Sequence, residues 1–103
     1  MPEMHFSIRW PDGSVERCYS PSLVVRDFLA EGAAYPLPKF LMRTREALLL
    51  ASNRVKAQYG FPCGRALSQL SRIEEQAARF APDSVVTVER LEEAAAVLPG
   101  GRS

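Results

Sequence analysis

The sequence predicts an α+β domain of two layers. An N-terminal β-hairpin and a third, C-terminal strand pack on an antiparallel pair of helices, in the order β-β-(α)-α-α-β. Three observations predict it. Apolar and polar residues alternate from Met4 to Trp10. Two apolar stripes of helical spacing follow between residues 37 and 80. A segment rich in Val and Thr closes the ordered region. A sheet with one apolar face and a helix pair with one apolar stripe bury each other.

Met4, Phe6, Ile8 and Trp10 share one face of the first strand, and His5, Ser7 and Arg9 share the other. That is the period-2 pattern of a half-buried strand. Pro11-Asp12-Gly13-Ser14 is a turn: Pro sets its own φ, Asp bonds the local backbone and Gly accepts positive φ. Val15 to Ser20 returns as the second strand. Two registers compete. One pairs Trp10 with Val15, Phe6 with Tyr19, Ile8 with Arg17 and Arg9 with Glu16. The other has a three-residue loop with a bulge at Gly13, pairing Phe6 with Cys18 and Ile8 with Glu16. Cross-strand pairs contribute about 0.2–1 kcal/mol each, which favours the first. Arg17 on the inner face is its cost, eased if the aliphatic stem covers Trp10.

Ser20-Pro21 reads as an N-cap followed by proline at the first helical position. Ser22 to Leu29 then reads as a short helix, although Val24-Val25 also suits an extended chain. Gly32 to Pro38 reads as a connector. The long helix carries Leu37, Leu41, Thr44, Leu48, Ala51, Val55 and Tyr59 on one stripe, widened by Phe40 and Ala47. Gly60 stands where a left-handed cap is needed, with Phe61 as its hydrophobic contact. A second helix runs from about Cys63, with Ala66, Leu70, Ile73, Ala77 and Phe80 inward, Leu67 broadening the stripe, and Pro82 as its stop. Ser84 to Leu91 reads as the third strand. The expected domain is 1–92. A flexible tail covers 93–103, and Glu93 to Ala96 could add a helical turn.

Composition excludes several function classes. The chain has 103 residues, so one domain, and 13 basic residues face 12 acidic ones. That balance lacks the basic footprint of a general nucleic-acid binder. No run of roughly 18 apolar residues exists, so no membrane span is expected. Glu3 and His5 stand where a signal peptide would be cationic and then apolar, which points to the cytoplasm. Cys18 and Cys63 are then expected as reduced thiols. Two cysteines and one histidine are too few for a four-ligand zinc site without carboxylates, so no metal is expected. No phosphate loop, dinucleotide glycine pattern or nucleophile elbow is present, and no cofactor is expected.

Candidate chemistry is sparse. Cys63 begins a helix, where the dipole favours a thiolate, so it is the candidate reactive thiol. The plain alternative is a small apolar residue at a helix corner. His5 and Cys18 form a second candidate face, with Cys18 on the outer side opposite Ser7 in the favoured register. Ser20 and Ser22 are explained by capping. Arg65, Arg72 and Arg79 recur every seven residues, opposite the apolar stripe, with Glu75 placed to pair with Arg72. The plain reading is a solvated helix face. The sharper reading is a docking face for an acidic partner. With no catalytic constellation, the sequence leans away from an enzyme.

Four words occur in fixed order: Ile8-Arg9-Trp10-Pro11-Asp12-Gly13, Cys18-Tyr19-Ser20-Pro21-Ser22-Leu23-Val24-Val25, Tyr59-Gly60-Phe61 and Ala78-Arg79-Phe80-Ala81-Pro82. In these words the chain resembles the small nitrogen-starvation response proteins encoded in bacterial nitrilase-type gene clusters. The similarity runs from residue 1 to about residue 90. The resemblance implies a cytoplasmic protein made alongside a nitrilase-like hydrolase, an acetyltransferase-like protein, a radical-SAM protein and a flavin oxidoreductase. It transfers no catalytic residue. The expected function is that of an accessory or interaction protein whose partner comes from the same gene cluster. The alternatives are a small enzyme or enzyme subunit using Cys63 or the His5/Cys18 face, and then a nucleic-acid-binding regulator. A homodimer through an edge strand or helix stripe stays open.

Overall fold

A computed structural model describes residues 2–94. Four antiparallel strands make one sheet: β1 (Glu3–Arg9), β2 (Val15–Ser20), β3 (Ala34–Pro36) and β4 (Val85–Ala94), in spatial order β2-β1-β4-β3. Two helices, α1 (Leu37–Tyr59) and α2 (Gly64–Ala77), supply the second layer. The α+β class and the strand and helix order expected from the sequence hold, with β3 as an added edge strand.

The core forms where the two layers meet. Met4, Phe6, Ile8 and Trp10 from β1 and Val86 and Val88 from β4 are buried against Leu37, Phe40, Ala47 and Leu48 of α1 and Leu70, Ile73 and Ala77 of α2. β1 lies between β2 and β4, so its backbone is paired on both sides. Trp10 is the pivot. Its ring stacks on Phe80 at 5.6 Å and meets Phe40 edge-on at 6.0 Å. Its Nε1 donates to Glu16 at 2.9 Å.

The hairpin takes the second of the two registers. Phe6 faces Cys18 and Ile8 faces Glu16. The turn decides it. The Gly13 amide donates to the Trp10 carbonyl at 2.8 Å, Gly13 has φ +91°, and the Trp10 amide donates to the Ser14 carbonyl at 2.8 Å. This is a three-residue loop with a left-handed glycine bulge. Asp12 closes the turn by accepting from the Ser14 hydroxyl at 2.6 Å and its amide at 3.0 Å, and these bonds hold its carboxyl below the usual range. The one-residue difference moves every β2 side chain to the other face. Cys18 is therefore fully buried on the core side rather than on the outer side, and Arg17 is on the outer side rather than the inner.

Other expectations are corrected at single residues. Ser20 is the last residue of β2, opposite Met4, and not a cap. The cap is Ser22, whose hydroxyl accepts from the Val24 amide at 3.3 Å, and the element it starts is a 3-10 helix, Leu23–Asp27. The connector after it contains β3, which pairs with Val85 to Thr87. Pro36 is tolerated there because β3 is an edge strand. α1 ends at Gly60 with φ +95° as expected, but Phe61 is 70% exposed and not buried as the expected capping contact would have it. Leu67 and Tyr59 are exposed as well. α2 stops at Ala77, before the Pro82 expected to end it. β4 pairs through Ala94, opposite Glu3, so Glu93 and Ala94 are strand and not helical turn; the rest of the tail lies outside the described residues. β4 also carries a bulge: Val88 faces Ile8 and Arg90 faces Ser7, leaving Glu89 as the extra residue.

The helices are antiparallel. Arg45 Nη1 meets Glu74 Oε2 at 2.6 Å, and the Cys63 amide donates to Ser52 Oγ at 3.1 Å, so α2 descends as α1 ascends.

Candidate functional site

α2 also runs antiparallel along β2, the edge strand on the side of the sheet away from β3. Seven helical residues rise about 10.5 Å, and three strand residues advance about 10 Å. Arginines spaced by seven therefore meet strand residues spaced by three. Arg65 lies over the Tyr19 ring at 3.8 Å. Arg72 Nε donates to Glu16 Oε2 at 2.8 Å. Arg79 Nη1 donates to Gln76 at 3.0 Å, and its charge helps to depress the Asp12 carboxyl in the hairpin turn. Arg65 and Arg72 sit on the flank of α2 beside β2, and Arg79 lies in the turn that follows the helix, towards the hairpin turn. Arg72 pairs with Glu16 of the sheet and not with Glu75 of its own helix, and Glu16 in turn holds the Arg72 pKa above its ordinary value.

Tyr19 is the hub of this flank. Its amide, which points off the sheet edge, donates to Gln69 Oε1 at 3.0 Å. That bond covers a backbone donor which an edge strand otherwise leaves open. Its hydroxyl donates to Glu3 at 2.9 Å, and its ring meets the His5 ring edge-on at 6.0 Å. Burial, and then the bond to Glu3, push its phenol up to about 12, while Arg65 pulls the other way. The fold thus favours the neutral phenol. Stability from this group is complete below the ordinary tyrosine value near 10 and falls as pH rises towards about 12. A tyrosinate absorbance titration of the protein minus that of Tyr19→Phe should show a midpoint near 12; a midpoint near 10 would contradict the burial.

A groove of about 650 Å³ opens along this flank, lined by Tyr19, Gly64, Arg65, Ser68, Gln69 and Arg72. None of these is acidic. Gln69 Nε2 lies at its wall, shielded from solvent and without an acceptor. A smaller cleft of about 190 Å³ adjoins it at Tyr19, lined also by Glu3, Pro21, Val55, Tyr59 and Cys63.

The candidate thiols separate. Cys63 is half-buried at the N-cap of α2 and lines the small cleft. Cys18 is buried against the core, and burial, with the Glu16 carboxylate adding to it, pushes its thiol far above the ordinary value. His5 is on the opposite side of the sheet, where Arg17 Nη2 donates to its Nδ1 at 3.4 Å. The expected His5/Cys18 face is therefore absent: the register places the two on opposite faces. Both cysteines are free. Alkylation of the native protein should label Cys63 alone, with Cys18 labelled only after unfolding; mass spectrometry of the two peptides checks it, and native labelling of Cys18 would contradict its burial. Among the described residues no helix is long and apolar enough to cross a membrane, and no group of three His, Cys, Asp or Glu could hold a metal ion.

The model of a protein family described as nitrogen starvation-induced protein NitG matches residues 5–91. The chain belongs to the NitG family. No curated protein and no solved structure matches it. The NitG match takes in the hairpin, both helices and most of β4, and so contains Tyr19, Cys63, Arg65, Gln69, Arg72 and Arg79. Its description says when NitG proteins are made, under nitrogen starvation, and assigns none of these residues a role. The sequence offers no local signal for Gln69, and offers Tyr19 only as one of a run of hydroxyls with Ser20 and Ser22. The signal available was the fit between a seven-residue helical repeat and a three-residue strand repeat, which needs the correct hairpin register before it can be seen.

Proposed function

We propose that this chain is an accessory interaction protein of the nitrogen-starvation response, without catalysis of its own. It acts in the cytoplasm on a protein from its own nitrilase-type gene cluster and engages an acidic surface through the α2 flank. One observation carries the reading. Arg65 is held on Tyr19 at 3.8 Å, beside an open groove without acidic lining, and has no carboxylate or hydrogen-bond partner among the described residues. An arginine fixed by an aromatic ring and left unpaired has the chemistry of an interface anchor. Arg72 and Arg79 contribute to the face chiefly by tying α2 to β2 and to itself.

The test is purification from cross-linked, nitrogen-starved cells, then reconstitution of the complex from this protein and the identified cluster product. The expected result is a stoichiometric complex that Arg65→Glu weakens about tenfold or more, a loss of about 1.4 kcal/mol. A protein that remains alone with every cluster product overturns the proposal.

A second reading has the small cleft in its favour, where Cys63 lies with Glu3 and Tyr19. Here the chain completes another protein's active site. Cys63→Ser would then leave the complex intact and abolish growth under nitrogen limitation, whereas the first reading expects normal growth.

A further inference from the structure

The α2 flank offers more than a basic surface, because its geometry selects the chemistry of what it takes. We infer that the groove between α2 and β2 is a receptor for one carboxylate side chain, an Asp or Glu presented by a partner chain that passes over the Arg65–Tyr19 stack. The inference rests on the docking role proposed above for this flank.

Four features lead there. First, the Arg65 guanidinium carbon lies 3.8 Å over the centre of the Tyr19 ring, so the ring covers one face of the group, and its edge N–H groups have no partner among the described residues. That edge matches the two oxygens of a carboxylate. Second, among the described residues no groove-lining side chain is an acid, so none of them competes for the guanidinium. Third, the charge count suits a monoanion. Among the described residues Arg72 is the only other cation in the lining, and Glu16 matches it at 2.8 Å. One free positive charge then remains among the described residues, and a phosphate dianion would exceed it. Fourth, there is room and a further donor. The space over the Gly64 Cα is empty, and the Ser68 hydroxyl lines the same wall without a hydrogen-bond partner among the described residues. The site is an open groove and not a blind pit, so a chain can enter and leave it, which suits a side chain over a chain end.

The test uses the purified protein and small probes, read by NMR at the Arg65 Nε–H and the Gly64 and Ser68 amides. N-acetyl-glutamate N-methylamide has a free side-chain carboxylate and blocked ends. It should give saturable shifts at these groups, at least about tenfold tighter than its glutamine analogue. Arg65→Gln should remove the response and leave the rest of the spectrum unchanged, while Arg79→Gln should keep it. Equal binding of the neutral analogue, or a response that survives Arg65→Gln, overturns the inference. Tighter binding of N-acetyl-alanine with a free C-terminus overturns the side-chain assignment, and tighter binding of inorganic phosphate overturns the monoanion argument. The two proposals fail separately. A carboxylate response with no cellular partner sinks the accessory role alone, and a partner complex that Arg65→Glu weakens, in a protein that gives no carboxylate response, sinks the receptor alone.

Discussion

Cys18→Asp is expected to unfold the domain or to destabilise it by about 3 kcal/mol or more, whereas Arg17→Ala should change stability by no more than about 0.5 kcal/mol. The two residues are neighbours on one strand, and only the register separates them. Cys18 faces Phe6 and has no exposed surface, so a carboxylate there would lose its water beside the Glu16 carboxylate, while Arg72, the cation whose charge reaches it, is already paired with Glu16. Arg17 faces solvent on the outer side, 3.9 Å from Glu92, in an exposed pair of the kind that contributes little. Cys18→Ala separates charge from volume and should cost far less than Cys18→Asp. Urea unfolding of the three variants checks the ordering. Equal effects at 17 and 18, or a tolerated Cys18→Asp, would contradict the hairpin register.

Trp10→Ala should cost about 3–5 kcal/mol, the range for removing a large buried aromatic. That is a large part of the stability of a domain this size, which is typically about 5–15 kcal/mol. Trp10 ends β1, fills the space between Phe40 of α1 and Phe80 beyond α2, and ties Glu16 to the core. Removing it opens a cavity that three separate elements would have to collapse around. Trp10→Phe keeps most of the packing and loses the indole bond to Glu16. It should cost about 1 kcal/mol, because Glu16 keeps Arg72 as a partner. Denaturant midpoints distinguish the two, and a Trp10→Ala protein as stable as the parent would contradict the core described here.

The main layers were legible because their patterns are long. Met4 to Trp10 alternates over a full strand, and α1 and α2 repeat their stripes over several turns. Cross-strand pair chemistry and turn chemistry favour different registers, and the turn prevails. The pairing of Phe6 with Tyr19 looked better than that of Phe6 with Cys18. Yet Pro11-Asp12-Gly13 places glycine third, where a left-handed bulge forms, and the turn sets the register. Arg17 facing inward was the warning. Its inner-face place is taken by Glu16, an acid that the sequence alone could not pair with Trp10 and Arg72. β3 was hidden because three residues ending in proline carry no periodicity and gain their bonds only when β4 lies alongside. In β4 the parity break between Val88 and Leu91 was visible, and it marks the bulge at Glu89. Of the candidate site, the arginine repeat was legible. Its meaning was not, because the partners Tyr19 and Glu16 lie about 50 residues away on another element, and contacts between distant elements leave no local pattern.

The claim on which the rest turns is that α2 lies along β2 with the Arg65 guanidinium over the Tyr19 ring. An NMR measurement of the Arg65 side chain tests it most directly. The ring should move the Arg65 δ and ε protons well upfield, with nuclear Overhauser contacts to the Tyr19 ring protons, and Tyr19→Leu should return them to ordinary positions in a protein that is still folded. Arg65 resonances at ordinary positions in the parent protein, with no contact to Tyr19, would contradict the account.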